Sequence, residues 1–272
     1  MKNISIIAGV YNEERRIEYM LQSFAWSDDI VLIDKSSQDR TVEIARKYTN
    51  NIISVPYQDG TGEELQRAVA QARNEWVLFV TASDVIHPKL VEKVLELINR
   101  DDFDYDVIAL PFALYVLGIR DPKRSPWCMV NKDILVRKSA LVTSDKVHTE
   151  ISYDSTKIYR MSPSEDVAFY HLTHETLEMF WERHTRYTRL EAGYYTDGNM
   201  ALKASFKELL RALYVVVVKK KSFLRGWDGV ALGLAYVSYF IMKFLYVWER
   251  FRGKGPAEYD RIRRAIVPSH RA

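Results

Sequence analysis

Cysteine occurs once in these 272 residues, at Cys128, which excludes an intrachain disulfide and leaves no Cys cluster for zinc. A packed thiol in a reducing compartment is the reading that follows. The N-terminus lacks the longer apolar region and small-residue cleavage site of a secretory signal, since Met1-Lys-Asn leads directly into a short strand-like run. The first half of the chain is therefore expected to stay in the cytoplasm. Internal repeats and low-complexity segments are missing too. With 47% hydrophobic residues the chain has enough apolar surface for a full core, so disorder is not expected.

The net charge of +3 hides an asymmetry. Residues 203–272 carry 15 Lys and Arg against 5 Asp and Glu, leaving 24 against 31 in residues 1–202. The first part is thus −7 and the tail +10, which predicts two units with different surroundings and an anionic partner for the second.

Short β-branched runs alternate with helical patterns through the first hundred residues. Strands are predicted over Ile4–Ala8, Ile30–Asp34, Ile52–Val55 and Trp76–Thr81, with helices from about Glu14, Arg40 and Glu63 and one opening at Pro88. Strands separated by helices pair in parallel, so this is a Rossmann-like half-sheet with its polar loops at one carboxyl edge. From Asp101 to Asp166 the pattern turns irregular, with Val107–Pro111 and Ile134–Arg137 as the clearest strands, and helical character returns over Thr176–Tyr195. Asp39, just before the second helix, reads either as its N-cap or as a ligand-binding group.

Two apolar stretches follow, Leu209–Val218 and Gly229–Trp248, flanked by Lys219-Lys-Lys-Ser-Phe-Leu-Arg225 and by Arg250, Arg252 and Lys254. The first is too short to span a bilayer; the second reaches the ~20-residue minimum but contains Lys243. Its aromatic residues suit the headgroup level, and its flanking cations attract anionic lipid. Helices lying in or dipping into a leaflet are preferred over a true span or a buried helix pair. Gly229 and Gly233 have a spacing that permits close helix packing. Nucleic-acid binding by the tail is disfavoured, because its aromatics cluster in apolar runs rather than alternating with Arg.

The run Ser5-Ile-Ile-Ala-Gly-Val-Tyr-Asn-Glu-Glu, then Asp29-Ile-Val-Leu-Ile-Asp34-Lys-Ser-Ser-Gln-Asp39-Arg-Thr, resembles the nucleotide-binding half of the family 2 glycosyltransferases. The resemblance continues through Trp76 to Asp84, Val147-His148, His171, Thr185-Arg186-Tyr187 and Gly226-Trp-Asp-Gly229. That order is similar to the membrane-associated branch containing lipopolysaccharide-core glucosyltransferases. It implies an α/β, GT-A (Rossmann-like) nucleotide-sugar-binding domain over 1–195 and a basic helical, membrane-associated extension over 196–272. Within the domain, 1–100 would bind the nucleotide and 101–195 the acceptor. The partners implied are a nucleotide-sugar donor, a lipid-linked or envelope-glycan acceptor and an anionic membrane surface, at the cytoplasmic face.

In the implied site, Asp34 accepts from a base N–H or a ribose hydroxyl, Tyr11 stacks on the base, and Asn12, Glu13 and Ser36 lie beside them. Where the family pattern reads Asp-Ala-Asp-Glu, this chain has Thr81-Ala82-Ser83-Asp84. Both carboxylates of the metal motif are thereby replaced by hydroxyls, which are poorer ligands for Mg²⁺ or Mn²⁺. Three outcomes stand: Asp84 is the sole metal carboxylate, a cation such as Lys35, Arg67 or Arg73 replaces the metal, or activity is lost and the fold serves binding. For the base, Val147-His148-Thr149-Glu150 puts His148 and Glu150 on one face of an extended segment, so Glu150 can serve with His148 as its hydrogen-bond partner. Asp145, Glu165 and Asp166 compete for that role. His171, Arg186 and Tyr187 are the candidate acceptor contacts, while His171 and His174 have no third partner for a metal.

Overall fold

The computed structural model describes residues 3–57, 63–121, 123–127, 131–142, 152–163 and 167–266. Four strands run parallel: β1 (Ile4–Val10), β2 (Ile30–Asp34), β3 (Ile52–Ser54) and β4 (Trp76–Thr81), in the order β3-β2-β1-β4. The helices between them are α1 (Ile17–Phe24), α2 (Thr41–Ala45) and α3 (Glu63–Gln71). Alternate residues of each buried strand face opposite layers. Ile4, Ile6, Ala8 and Val10 meet Ile17, Met20, Leu21 and Phe24 of α1 on one side. Ile7, Val31, Ile33 and Val77 meet Ala68 and Ala72 of the α3 segment on the other. Each such Ile or Leu removed from water contributes about 1.5–3 kcal/mol, which is why the strands read as continuous apolar runs.

Beyond β4 the sheet turns mostly antiparallel, with one further parallel pairing. The added strands are β5 (Asp84–Ile86), β6 (Val107–Val116), β7 (Asn131–Arg137), β8 (Ile158–Arg160) and β9 (Phe169–Thr173); β7 pairs with β4 and β6. Between β5 and β6 lies α4 (Pro88–Ile98), whose proline sits where its missing N–H costs nothing and whose His87 accepts from the Lys89 amide. The strands β6 and β7 are longer than the sequence pattern indicates, and a register shift at Ile108/Ala109 interrupts the alternation of β6. Helix α1 starts at Ile17 rather than Glu14, because the Arg16 and Ile17 amides both bond to the Glu13 carbonyl in a separate turn.

The chain divides into two compact units, residues 1–115 with 129–173, and residues 116–128 with 174–272. The second unit contains α5 (Leu177–Tyr194), α6 (Gly198–Tyr214), α7 (Trp227–Arg252) and α8 (Gly255–Ile266). Helix α5 thus groups with the C-terminal helices. Its Glu191 meets Tyr239 and Lys243 of α7, and its Phe180 and His184 surround Trp127 of the inserted segment.

Helix α6 is continued by a π-turn over Val215–Lys219, and Lys221 takes a left-handed conformation before the 3-10 turn Ser222–Arg225. The expected apolar stretch Leu209–Val218 is therefore the end of a longer helix plus this turn. Close helix approach is present where the glycine spacing pointed: a Cβ on Gly229 would lie 1.8 Å from the Ser222 carbonyl oxygen, and one on Gly233 would lie 2.7 Å from Val216 Cγ1.

Candidate functional site: the carboxyl edge of the parallel strands

The strand order β3-β2-β1-β4 reverses direction between β1 and β4, and open α/β sheets bind ligands in the crevice that such a reversal leaves at the carboxyl edge. The loops after β1, β2 and β4 form this edge. Asp34 ends β2, buried, with Oδ1 accepting the Ser37 amide at 3.1 Å. Asn12 takes a left-handed backbone conformation, which Asn tolerates better than most residues. It then clasps the β2 loop: its amide donates to Ser37 Oγ at 3.0 Å, and its Oδ1 accepts the Gln38 amide at 2.8 Å. Ser36, also left-handed, donates to the Val55 carbonyl.

Tyr11 is exposed and lies against Tyr57, ring centroids 4.2 Å apart. Tyr57 follows β3 and carries no motif, so sequence reading passes over it. The two form an aromatic surface at the edge where Tyr11 alone was expected.

Asp39 is a structural anchor. Its carboxylate accepts the Thr41 amide and hydroxyl at the start of α2 and the Glu14 amide from the β1 loop. Burial tends to raise its pKa, but these hydrogen bonds outweigh that and hold it below the ordinary aspartate value. Glu13 in turn donates its amide to Thr41 Oγ1 at 2.7 Å, so the β1 and β2 loops are tied at several points.

After β4 the geometry departs from expectation. Asp84 is only 2% exposed, and both its oxygens are engaged: Oδ2 accepts the Thr81 amide at 2.6 Å and the Thr81 hydroxyl at 3.0 Å, while Oδ1 lies 2.6 Å from His171 Nδ1. Asp84 and His171 are register partners of β5 and β9, although 87 residues apart in sequence. The imidazole also stacks on Phe112. Asp84 is therefore a buried bracing group of its own loop rather than an open metal carboxylate. Among the described residues no group of three His, Cys, Asp or Glu is placed to hold a metal ion.

Ser83, in the second place of the replaced motif, is buried and accepts Arg16 Nη1 at 2.9 Å. The same guanidinium donates through Nε, at 2.8 Å, and through Nη2 to Glu13 Oε2. A fixed cation from the β1 loop thus rests on the β4 loop. The expected donor set does not fit a divalent ion: two of its members are neutral hydroxyls, its one carboxylate is used, and a positive charge already contacts Ser83.

Of the cations expected by position, Lys35 pairs with Glu64 at 3.4 Å. Arg67 is exposed on α3. Arg73 pairs with Asp29 at 3.2 Å, ahead of β4 and β2 and so at the opposite edge of the sheet. Arg16 was missed because it belongs to no motif. His148 and Glu150 lie outside the described residues, as do Asp145, Glu165 and Asp166. In the second unit, Arg186 and Tyr187 lie on α5, with the guanidinium 5.1 Å from the tyrosine ring centroid. His174 is buried among Trp127, Phe180 and His184 in an aromatic core.

Residues 5–168 match the profile of glycosyl transferase family 2, which is more than half of the chain. The chain belongs to that family. As a family 2 member it has the GT-A architecture that the motif order implies, with the mixed sheet and the replaced β4 motif in the places described above. It is 31% identical over 121 residues to the poly(ribitol-phosphate) β-N-acetylglucosaminyltransferase TarS of Staphylococcus aureus, covering 40% of this chain and 21% of TarS. It is 25% identical over 130 residues to a cholesterol galactosyltransferase of Borreliella burgdorferi, covering 45% of this chain and 36% of the relative. The crystal structure of TarS residues 1–349 aligns with 90% of this chain and 81% of its own, at a TM-score of 0.46 and 18% identity. This family 2 chain thus spans only part of the length of these curated relatives.

Proposed function

We propose that the protein is a glycosyltransferase that moves a sugar from a nucleotide-sugar donor to a lipid-linked or cell-envelope glycan at an anionic membrane surface, with inversion. The observation that carries the transferase reading is the family 2 match over the strands whose carboxyl edge gathers Asp34, Asn12 and the Tyr11–Tyr57 surface. In this reading Asp34 accepts from the base or ribose, Tyr11 and Tyr57 flank the base, and Asn12, Glu13 and Ser36 hold the loops. His171, Arg186 and Tyr187 meet the acceptor. The bond between the anomeric carbon and the β-phosphate oxygen breaks, leaving its electron pair on the nucleoside diphosphate. The acceptor oxygen bonds to the anomeric carbon, and its proton passes to a carboxylate base, assigned to Glu150 with His148 as partner.

The membrane part of the reading rests on the second unit. Helix α7 is long and apolar enough to cross a bilayer by length and composition. However, its Lys243 pairs with Glu191 at 2.9 Å and Glu208 at 2.8 Å, so a span would carry charged groups of α5 and α6 with it. The turn joining α6 and α7 instead exposes Tyr214, Val217, Val218, Phe223, Leu224 and Trp227 beside Lys219 and Lys221. Apolar and aromatic side chains mixed with lysines suit the headgroup boundary of an anionic leaflet. This favours monotopic attachment over a span, and in this reading the attachment is at the cytoplasmic face.

A second reading, a non-catalytic relative that binds through the same fold, is favoured by Thr81 and Ser83 alone. The test is thermal stabilisation across UDP-, GDP-, ADP- and CMP-linked sugars, followed by turnover with envelope acceptors. Selective stabilisation with turnover supports the transferase; binding without turnover on any acceptor, or no stabilisation by any of these donors, overturns it in favour of the second reading.

A further inference from the structure

We infer that donor binding in this protein needs no divalent metal, because the Arg16 guanidinium, held between Glu13 and Ser83, supplies the positive charge that faces the diphosphate. The inference rests on the sugar-transfer reading above. Its observation is the chain Glu13–Arg16–Ser83, which bridges the loops leaving β1 and β4, the two strands that flank the reversal of the sheet.

Three physical points support it. A departing nucleoside diphosphate gains charge as its bond to the sugar breaks, and preorganised cations stabilise that charge whether they are metals or side chains. A guanidinium never loses its proton near neutrality, so it keeps its charge whether or not a ligand is bound. The charge is also preorganised, because Arg16 already contacts both Glu13 and Ser83 within the fold. Glu13 grips the Nε and Nη2 edge and Ser83 receives Nη1, which fixes the plane of the group before any ligand arrives. A divalent ion added here would stand against this cation with only neutral hydroxyls and the occupied Asp84 to hold it.

The test is calorimetric titration of the full chain with UDP, GDP, ADP and CMP, once in EDTA and once in manganese chloride. The expected result is that whichever nucleotide binds does so with the same affinity in both, within about twofold. Arg16→Ala is expected to weaken it at least tenfold, about 1.4 kcal/mol. Arg16→Lys should recover part of the loss. The double variant Arg16→Ala with Ser83→Asp should regain affinity in manganese only, a response that a merely structural tether would not give. Wild-type binding that appears only with manganese overturns the inference while leaving the transferase reading intact, and that comparison stands even if a variant fails to fold. Unchanged affinity in a folded Arg16→Ala protein overturns it equally. Absence of binding by all four nucleotides in both buffers overturns the transferase reading and the inference together.

Discussion

Asp34 and Asp84 are both buried aspartates at strand edges, and their partners separate their roles. The Asp34 carboxylate has one described bond, from the Ser37 amide to Oδ1, whereas that of Asp84 is consumed by Thr81 and His171. Asp34→Asn keeps the loop bond but removes the charge, so nucleotide affinity should fall about tenfold, roughly 1.4 kcal/mol, with little change in melting temperature. Isothermal calorimetry and a thermal melt on the same sample check both halves. A second residue-scale prediction concerns His184, buried and stacked on Trp127, whose pKa burial pushes down from 6.5 to about 4, with a smaller push from Arg183. The folded value lies below the unfolded one, so the unfolded chain binds more protons between pH 6.5 and 4. The stabilisation is complete above that window, and about 3 kcal/mol is lost as pH falls through it. Urea unfolding followed by tryptophan fluorescence across this range should show the loss, and His184→Gln should flatten it.

At the scale of elements, the α6–α7 hairpin is held by contacts of different compliance. The Cβ of Gly229→Ala would meet the Ser222 carbonyl, which is backbone, while that of Gly233→Ala crowds the Val216 side chain and touches Ser222 Cβ at ordinary contact distance. The first substitution should therefore cost about 2–3 kcal/mol, and the second under about 1 kcal/mol, since Val216 can shift and alanine improves helix propensity. Reversal of that order in chemical denaturation would refute the packing argument. Lys243 provides a polar tie within the same unit, its pKa raised by hydrogen bonds to Glu208 and Glu191 that outweigh burial. Lys243→Met strands two half-buried carboxylates, and about 2 kcal/mol of stability should be lost, less than for a fully buried pair. The hairpin turn has its own anchor: Asp121 pairs with Arg225 at 3.0 Å, and Ser222 donates to the Arg124 carbonyl.

For the whole molecule, the charge asymmetry and the exposed apolar turn lead to one expectation. The protein should bind vesicles containing phosphatidylglycerol, bind phosphatidylcholine vesicles weakly, and lose the difference in high salt. Trp227 is 87% exposed, so on the membrane reading Trp227→Ala should weaken partitioning several-fold in a flotation assay while leaving nucleotide affinity unchanged. Equal binding to both vesicle types would set the membrane reading aside. The sequence alone determined the parallel half-sheet, because strands buried on both faces must be apolar throughout and their helices must be amphipathic. It also determined the family, through motifs short enough to stay contiguous at strand ends, and it marked Asp34, Tyr11 and Asn12 because each lies within two residues of a strand end. What only the tertiary structure decided are the long-range pairings. His171 meets Asp84 through antiparallel register, Tyr57 meets Tyr11 because the segments leaving β3 and β1 come together at the same carboxyl edge although β2 lies between the two strands, and Arg16 reaches Ser83 because the reversal of strand order sets β4 beside β1. No local pattern carries such information. A side chain's partner across a sheet depends on strand order and register, which are fixed by the packing of the whole domain rather than by the residues next to it in the chain.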